Sequence, residues 1–195
     1  MRKLILKMST SLNGFVAGPG GELDWMFTAP DGGSKAWQLA RAWDASLHLM
    51  GRRTFEDMKG HWPTSDDTYA GPMNAIPKSY FSRHSGTERQ PRELGRKGGA
   101  IESWDAAERL TGDLAAGVER LKAMDGKPII AWGGAGFARS LVPTGLIDEY
   151  QFLVHPVALP KGLEVFSGLD KPLRLDLVAL ERFDSGIVAK TFRPI

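Results

Sequence analysis

The stretch IIAWGGAGFARSLVP at residues 129–143 constrains the fold more than any other part of the chain. A short apolar run stops at Gly133, Gly134 and Gly136, and apolar residues at helical spacing follow from Phe137 onwards. A strand that passes directly into a helix is typical of α/β proteins with parallel sheets. The glycine turn between them either approaches a bound phosphate or dinucleotide, or serves only as a tight connection.

A second junction of the same kind lies at residues 50–55, MGRRTF. Gly51 ends a strand-like run, and Arg52 and Arg53 open the helical pattern that follows. The amino terminus of a helix presents unpaired N–H groups and the positive end of the helix dipole, which favour an anion. Two such junctions in one small chain, one of them basic, favour a nucleotide site over two unrelated turns.

The rest of the chain alternates strand-like and helical segments. Strand-like runs cover residues 2–9, 46–50, 77–82, 127–132 and 148–155. Ser34 and Asp113 are predicted N-caps of two helices. The first of these helices presents one apolar face made of Ala36, Trp37, Ala40 and Trp43. Residues 10–33 are predicted to form a long loop, a kind of segment that is usually functional or disordered.

The end of the chain predicts an antiparallel hairpin. Runs at 173–179 and 187–192 flank a turn at 184–186. One face of the first run alternates cleanly through Leu173, Leu175, Leu177 and Ala179. We expect that face to pack on the core and the face with Val178 and Leu180 to remain available to a second copy. The predicted fold class is therefore α/β: a three-layer sandwich with a largely parallel mixed sheet, an antiparallel C-terminal hairpin and helices on both faces, in one domain spanning the whole chain.

Composition excludes several classes of function. The chain has no cysteine, which excludes disulfides, thiolate nucleophiles and cysteine-based zinc sites. A net charge of +2 is too balanced to indicate nucleic acid, even with the mixed Arg and Glu run at 83–97, predicted to be a solvated loop. Polar residues interrupt the apolar amino terminus, and no stretch approaches the roughly 20 apolar residues that span a bilayer. We expect a cytoplasmic protein.

The four histidines show no spacing that suits a metal, so we expect no metal site. His48 and His155 lie within strand patterns and are predicted to be packed residues. Two common nucleotide motifs are also missing. Arg139 stands where the third glycine of a GxGxxG motif belongs, and no GxxxxGK[ST] sequence occurs.

Three blocks in order make the chain resemble the dihydrofolate reductase-like superfamily. They are GRRTFEDM at 51–58, PKSYFSR at 77–83 and IIAWGGAGFARSLVPTGLIDEYQFLVHPV at 129–157. The opening LILKMSTSLNGFVAGPGGELDWM, residues 4–26, is similar to one branch: the reductase domain of the bifunctional riboflavin-biosynthesis deaminase–reductase and its stand-alone bacterial relatives. The resemblance covers nearly the whole chain. It implies hydride transfer from NADPH to a C=N or C=O carbon of a small heterocyclic or ribosylamino-pyrimidine-type substrate.

The resemblance also implies where NADPH lies. The turn at 51–54 holds the pyrophosphate, and Arg52 reaches the 2′-phosphate. The end of the next strand holds the same phosphate, the second glycine turn lies against the pyrophosphate and nicotinamide ribose, and the first strand with its loop contacts the nicotinamide. The implied cofactor-binding residues are Ser9, Val16, Ala17, Gly51, Arg52, Arg53, Thr54, Ser82, Arg83, Gly133, Gly134, Gly136 and Phe137.

The substrate side involves three further residues. Asp24 either orients and protonates a heterocycle, as the catalytic acid, or merely caps a turn. Trp25 would stack on the substrate or wall its pocket, and Lys161 is the candidate for a ribosyl phosphate. Two alternative functions remain: a true dihydrofolate reductase, and a non-catalytic NADPH-binding protein.

Two expectations concern the assembly and its motion. The glycine-rich loop at 13–30 is predicted to be mobile and to close over the nicotinamide. The riboflavin-type branch is commonly dimeric, so the resemblance together with the late hairpin predicts a homodimer.

Overall fold

An eight-stranded sheet organises the chain in the computed structural model, which describes residues 1–28, 31–83 and 102–195. The strands of this sheet lie in the order β5-β4-β3-β6-β1-β7-β10-β9. Their bounds are β1 (Leu4–Thr10), β3 (Leu47–Gly51), β4 (Lys78–Phe81), β5 (Glu108–Leu110), β6 (Ile129–Trp132), β7 (Glu149–Val154), β9 (Leu175–Arg182) and β10 (Val188–Pro194), and a separate short pair consists of β2 (Phe15–Ala17) and β8 (Leu163–Glu164).

Six strands of the large sheet, from β5 to β7, run parallel, and β10 and β9 are added antiparallel at one edge. The strand β1 lies inside the sheet, with β6 on one side and β7 on the other. Parallel strands in a buried sheet are apolar throughout, and LILKMST in β1 follows that pattern except at Lys7, Ser9 and Thr10.

Helices cover both faces of this sheet. Their bounds are α1 (Gly32–Trp43), α2 (Arg52–His61), α3 (Ala70–Ala75), α4 (Glu102–Asp105), α5 (Leu114–Ala123) and α6 (Ala135–Leu141), with 3₁₀ helices at Asp24–Phe27, Trp62–Thr64 and Val142–Thr144. Helices α1 to α4 pack on the face that carries Ile5 and Ile130. Helices α5 and α6 pack on the opposite face, against Leu6 and Ala131. The predicted three-layer α/β class is therefore confirmed. Within the described residues, no helix combines the length and apolar character needed to cross a membrane.

The start of α1 differs from the prediction. Asp31, not Ser34, is the N-cap, and its carboxylate accepts a hydrogen bond from the backbone N–H of Ser34 over 2.6 Å. The predicted apolar face is also wrong. Ala36 and Ala40 are exposed, and Trp43 is 47% exposed, because the helix turns Ser34 and Ala42 towards the sheet instead. The other predicted cap, Asp113, is confirmed: it accepts from the N–H groups of two residues in the first turn of α5.

The segment at 10–33 is more ordered than predicted. It contains β2, which pairs with β8, and the 3₁₀ helix Asp24–Phe27. The N–H of Gly18 donates to the carbonyl oxygen of Glu22, which closes the turn between these two elements. Residues 29 and 30, and most of the predicted loop at 83–97, lie outside the described residues.

The C-terminal hairpin forms as predicted, with Gly186 in the turn at a φ of 81°. Its predicted apolar face is confirmed at Leu173 and Leu175, which pack against the core, and is wrong at Leu177 and Ala179, which are exposed. The register of the hairpin shifts between Thr191 and Phe192. Thr191 pairs with Ala179 whereas Phe192 pairs with Leu177, so Val178 is the extra residue of a β-bulge. Leu177, which precedes the bulge, is 47% exposed instead of packed in the core.

Candidate functional site

The two glycine turns, at 51–54 and 133–137, contact each other at the carboxyl ends of β3 and β6. Thr54 Oγ1 donates a hydrogen bond to the carbonyl oxygen of Gly133 over 3.3 Å. A Cβ added to Gly134 would lie 2.8 Å from Thr54 Oγ1, and one added to Gly51 would lie 2.8 Å from Cβ of Phe137. Glycine is therefore required at both positions for the turns to approach this closely.

The place where the two glycine turns meet is a topological switch point of the sheet, because the connections after β3 and β6 lead to opposite faces. The neighbouring strands β3 and β6 are parallel, but β3 leads into α2 on one face of the sheet and β6 leads into α6 on the other. Open α/β sheets bind ligands in the crevice that opens where the connections diverge in this way. The N-caps of these two helices are Gly51 and Gly134, which have no side chain that could cap the first N–H groups.

Basic side chains lie beside this crevice. Arg52 begins α2, and its Nε atom lies 2.7 Å from the Oε1 atom of Glu56 one turn later, while Arg53 is exposed. Arg83 follows β4, the other neighbour of β3, and donates a hydrogen bond to Ser140 on α6. The described basic groups are thus distributed along the ends of neighbouring strands.

The neighbouring Ser82 is buried, and its hydroxyl accepts a hydrogen bond from Arg109 over 3.5 Å. The structure therefore brings Arg52, Ser82 and Arg83, the residues that the resemblance implied, to one end of the sheet, where β3 and β4 pair in parallel.

The carboxyl end of β1 and the β2–β8 pair lie on the other side of the crevice. Ser9 is half-buried on β1, and Val16 and Ala17 are buried on β2. Lys161 is exposed just before β8, where Gly162 lies so close to the carbonyl oxygen of Ala17 that an added Cβ would be 2.4 Å from it. Lys161 therefore belongs to the small β2–β8 pair rather than to the glycine turns.

Asp24 and Trp25 have different environments although they are adjacent. Asp24 is exposed at the start of the 3₁₀ helix. Trp25 is half-buried, and its ring meets the imidazole of His155 edge-on, with ring centroids 5.3 Å apart. The structure thus places Trp25, but not the Asp24 carboxylate, in contact with the end of β7.

Lys7 is a candidate that the sequence analysis missed. It lies on β1 between Trp132 and Gln151 in the sheet register and is only 4% exposed. Its Nζ atom lies 4.9 Å from the Trp132 ring centroid and 5.9 Å from that of Trp37, and it donates a hydrogen bond of 3.4 Å to the side chain of Gln38. Burial lowers the pKa of Lys7 to about 7. The signal in the sequence was a single charge within an apolar strand.

The two histidines predicted to be packed are both buried. His48 is fully enclosed, and burial, with a smaller effect of the Lys78 charge, lowers its pKa to about 3. His155 ends the β7 strand pattern on the same sheet face as Lys7, and burial and the Lys7 charge both lower its pKa. His155 therefore belongs to the candidate site, a place that the sequence pattern did not indicate.

A cavity of about 370 Å³ lies elsewhere, towards the opposite ends of the same strands. Lys3, Arg41, Glu149 and Arg193 are among its lining residues, and neither glycine turn contributes to it. We base the functional site on the chemistry of the crevice and not on this cavity. Within the described part of the chain, no cluster of three or more His, Asp or Glu side chains could hold a metal ion.

Comparison with known families shows to which family the chain belongs. A model of the RibD C-terminal domain matches residues 2–189, which is nearly the whole chain. The chain belongs to the RibD C-terminal domain family. This is the reductase domain of the riboflavin-biosynthesis deaminase–reductase and its stand-alone relatives, so the resemblance drawn from the sequence is confirmed.

Relatives of this RibD-type chain span its full length. It is 27% identical to the Bacillus subtilis (strain 168) protein YyaP over 192 residues, which covers 96% of this chain and 92% of YyaP. It is 24% identical to YwjB of the same organism over 188 residues, with 95% of each chain covered. Among solved structures, a putative riboflavin biosynthesis protein from Shewanella sp. PV-4 superposes with a TM-score of 0.74 at 22% identity, covering 99% of each chain.

Two further solved structures share the fold of the RibD-type chain. A pyrimidine reductase-like protein from Corynebacterium diphtheriae has a TM-score of 0.66 at 16% identity and covers 100% of this chain and 92% of its own. A Thermotoga maritima diaminohydroxyphosphoribosylaminopyrimidine deaminase/5-amino-6-(5-phosphoribosylamino)uracil reductase has a TM-score of 0.69 at 17% identity; the match covers 100% of this chain and 57% of that protein. The predicted dihydrofolate reductase-like fold is thereby confirmed.

Proposed function

We propose that this protein is an NADPH-dependent reductase that transfers a hydride to a small heterocyclic or ribosylamino-pyrimidine-type substrate. The observation that carries the proposal is the contact between the two glycine turns at the switch point, joined by the Thr54 hydrogen bond to Gly133. Membership of a family of reductases supports the reaction class. Within that reaction class, we propose NADPH as the cofactor and a pyrimidine-type ring as the substrate.

The residues of the crevice fit a dinucleotide. The N-cap of α2 is Gly51, which has no side chain to cap the helix, so the start of α2 favours a phosphate. A Cβ added to Gly136 would meet nothing within 4 Å, so the backbone there is open to a close ligand. Arg52, Arg53 and Arg83 supply positive charge at the same ends of the strands, and we assign the 2′-phosphate to Arg52, with Ser82 and Arg83 beside it.

The remaining residues divide between cofactor and substrate. Thr54, Gly133, Gly134 and Phe137 form the wall against the pyrophosphate and ribose, while Ser9, Val16 and Ala17 face the nicotinamide. When bound, the nicotinamide supplies the hydride. Trp25 and Lys161 are assigned to the substrate.

Lys7 is our first choice for the group that holds a proton for the substrate. Because burial brings its pKa to about 7, both protonation states of the amine are populated near neutral pH, which suits a general acid. Asp24 is the second choice. Because its carboxylate is exposed, it could protonate only a substrate that lies near the protein surface. Comparing Lys7→Met with Asp24→Asn separates the two roles.

The test is NADPH consumption by the purified protein with a panel of pteridines and pyrimidines. We expect oxidation of NADPH that depends on a pyrimidine-type substrate and is lost in Lys7→Met. Turnover of dihydrofolate alone would instead identify a dihydrofolate reductase. NADPH binding without turnover of any compound would identify a binding protein, and absence of NADPH binding would overturn the proposal altogether.

A further inference from the structure

The cavity of about 370 Å³ lies on the α1 face of the sheet, towards the amino ends of the strands, and we call it the amino-end cavity. Pockets that hold small molecules commonly have volumes of roughly 300–1,000 Å³, so this one has room for a ligand. Its walls come from β1, β6 and β7, from the end of α1 and from the C-terminal hairpin. Since neither glycine turn contributes to it, the amino-end cavity is separate from the crevice.

The β-bulge in β9 shapes one wall of the amino-end cavity. Val178 and Ala179 are consecutive, and both line the cavity. In a regular strand successive side chains point to opposite faces, so two consecutive residues would not share one wall. Val178 is the extra residue of the bulge, and bulges redirect side chains in this way beside functional sites.

The side chain of Gln151 indicates that the amino-end cavity holds a ligand. Gln151 lines the cavity and is only 2% exposed, and its Oε1 atom has no hydrogen-bond partner among the described residues. Its Nε2 atom donates to Glu149 Oε1 over 2.9 Å. That bond fixes the orientation of the amide, because the opposite orientation would set the Gln151 oxygen against a carboxylate. Native proteins pair the large majority of their buried polar side-chain atoms, so Gln151 Oε1 requires a hydrogen-bond donor that a ligand can supply.

The charges around the amino-end cavity select an anion. The buried carboxylate of Glu149 is already paired, since its Oε2 atom accepts hydrogen bonds of 3.3 Å from both Nε and Nη2 of Arg193. Lys3 and Arg41 also line the cavity, and neither forms an ion pair with another residue that the structure describes. Asp44 is the other lining carboxylate, so the cavity carries one positive charge in excess.

The polar ends of the amino-end cavity are separated by an apolar middle. Lys3 lies four residues before Lys7, the register partner of Gln151, which is about 13 Å along the strand. Ile5 lies between them on β1 and pairs with Ile130 on β6, and both isoleucines line the cavity. The side chains of Lys3 and Gln151 reduce the distance between the two polar ends to the length of a molecule with a single ring.

We propose that the amino-end cavity binds a small organic anion that has a carboxylate at one end, an apolar body and a hydroxyl or N–H donor at the other end. The carboxylate binds Lys3 and Arg41, the body packs on Ile5 and Ile130, and the donor binds Gln151 Oε1. This site goes beyond the proposed function, because its occupancy does not depend on the reaction proposed for the crevice.

The experiment measures the binding of three matched compounds by NMR chemical-shift titration at pH 7. The probe is 4-hydroxybenzoate, which has the carboxylate, the apolar ring and the donor. The compound 4-methylbenzoate keeps the size and the charge but lacks the donor, and 4-hydroxybenzamide keeps the donor but lacks the charge. Lys3→Gln and Arg41→Gln each remove one cation at the protein surface, and Lys171→Gln, an exposed lysine outside the cavity, is their control.

We expect 4-hydroxybenzoate to bind about three- to tenfold more tightly than 4-methylbenzoate, the effect of one hydrogen bond. Lys3→Gln and Arg41→Gln should each weaken its binding about two- to fivefold, while Lys171→Gln should leave it unchanged. The neutral 4-hydroxybenzamide should bind more weakly than 4-hydroxybenzoate.

A Gln151→Leu variant that is folded by circular dichroism should bind 4-hydroxybenzoate and 4-methylbenzoate equally well. If that variant does not fold, the compounds and the two surface variants decide the question. No binding of 4-hydroxybenzoate at millimolar concentration would overturn the inference, and so would equal binding of 4-methylbenzoate by the wild-type protein. Unchanged affinity in both Lys3→Gln and Arg41→Gln would also overturn it, as would displacement of the probe by NADP⁺, since the probe would then lie in the crevice.

Discussion

Thr54 and Gly133, 79 residues apart in the chain, are joined by a hydrogen bond from the threonine hydroxyl to the glycine carbonyl. The bond connects the start of α2 on one face of the sheet to the end of β6, just before α6 on the other face. A ligand that lies across both turns would therefore bind to a site whose two halves are already held at a fixed separation. Such preorganisation reduces the entropy that binding must overcome.

We predict that NADPH binds more tightly than NADH and that Arg52→Ala removes most of the difference. A charge-assisted hydrogen bond to a phosphate contributes roughly 1.5–3 kcal/mol, so the preference should be about ten- to a hundredfold. Titration calorimetry with both cofactors measures it. Arg174→Ala, which removes an exposed arginine before β9, is the control. Equal affinities for the two cofactors in the wild-type protein would contradict the assignment, as would a preference that survives in Arg52→Ala.

The two glycines Gly134 and Gly136 should respond differently to alanine. In Gly134→Ala the new Cβ would lie 2.8 Å from Thr54 Oγ1, so the hydrogen bond to Gly133 must break and stability should fall by about 1 kcal/mol. In Gly136→Ala the new Cβ contacts no neighbouring atom, and alanine favours the helical backbone of α6 more than glycine does. The free energy of unfolding should therefore stay the same or rise by up to about 1 kcal/mol. NADPH affinity should nevertheless fall in Gly136→Ala, because the cofactor approaches that backbone. Denaturant titration and calorimetry measure the two quantities, and full affinity in Gly136→Ala would argue against the cofactor lying there.

Lys7 should make stability depend on pH. The pKa of Lys7 is about 7 in the folded protein, against an ordinary value of 10.5. Below about pH 7 the amine is protonated in both the folded and the unfolded protein, so the full cost of burying the charge destabilises the folded state. Between those values the unfolded chain binds more protons, and stability rises with pH. Lys7→Met should therefore exceed the wild type in free energy of unfolding by a few kcal/mol, on the order of 1.4 per pKa unit, below about pH 7.

That advantage of Lys7→Met should shrink steadily as the pH approaches about 10. Denaturant titrations of both proteins at several pH values provide the measurement. Taking the difference between them cancels the contribution of Lys78, whose pKa burial also lowers to about 7. If the difference in free energy of unfolding between Lys7→Met and the wild type stays constant across this range, burial does not lower the pKa of Lys7.

The fold shows which inferences the sequence could support. The N-cap Asp113 and the strand-to-helix turns at Gly51 and at 133–136 were predicted correctly because caps and turns are encoded by neighbours within a few residues. The contact between Lys7 and Trp132 could not be found in the same way. Lys7 and Trp132 meet only because β1 inserts beside β6, and strand order is a long-range property that local periodicity does not encode. The bulge at Val178 was missed for a related reason, since its cause is the pairing with β10 and not the apolar alternation of β9.

The segment before α1 should become better protected when NADPH binds. The β2–β8 pair already holds Phe15–Ala17, so we expect the change at residues 18–28, where Trp25 contacts His155. Hydrogen exchange followed by mass spectrometry, with and without NADPH, measures it, and β2 is the internal control. Equal protection in both states would remove the idea that this segment closes over the cofactor, and would leave the cofactor site itself intact.

The exposed strand β9 leads us to predict a homodimer. Leu177, Val178 and Leu180 are 47%, 40% and 59% exposed at the sheet edge, and an apolar edge of this kind is usually covered. Light scattering should give the mass of two chains, and Leu180→Lys should reduce it to the mass of one. Met124→Lys, a matched change at an exposed residue on the end of α5, should leave the dimer unchanged. A mass of one chain that does not change with concentration would refute the prediction.

The central position of β1 has a consequence for how the chain reaches its native state. This strand is synthesised before both of its partners, because β6 and β7 begin only at Ile129 and Glu149. The middle of the sheet therefore cannot form until most of the chain has been synthesised. Until then the largely apolar segment LILKMST has no strand with which to pair. Long-range pairing of this kind makes folding slow and exposes the early strand to aggregation. The topology that places Lys7 beside Trp132 is therefore also one for which we expect slow folding.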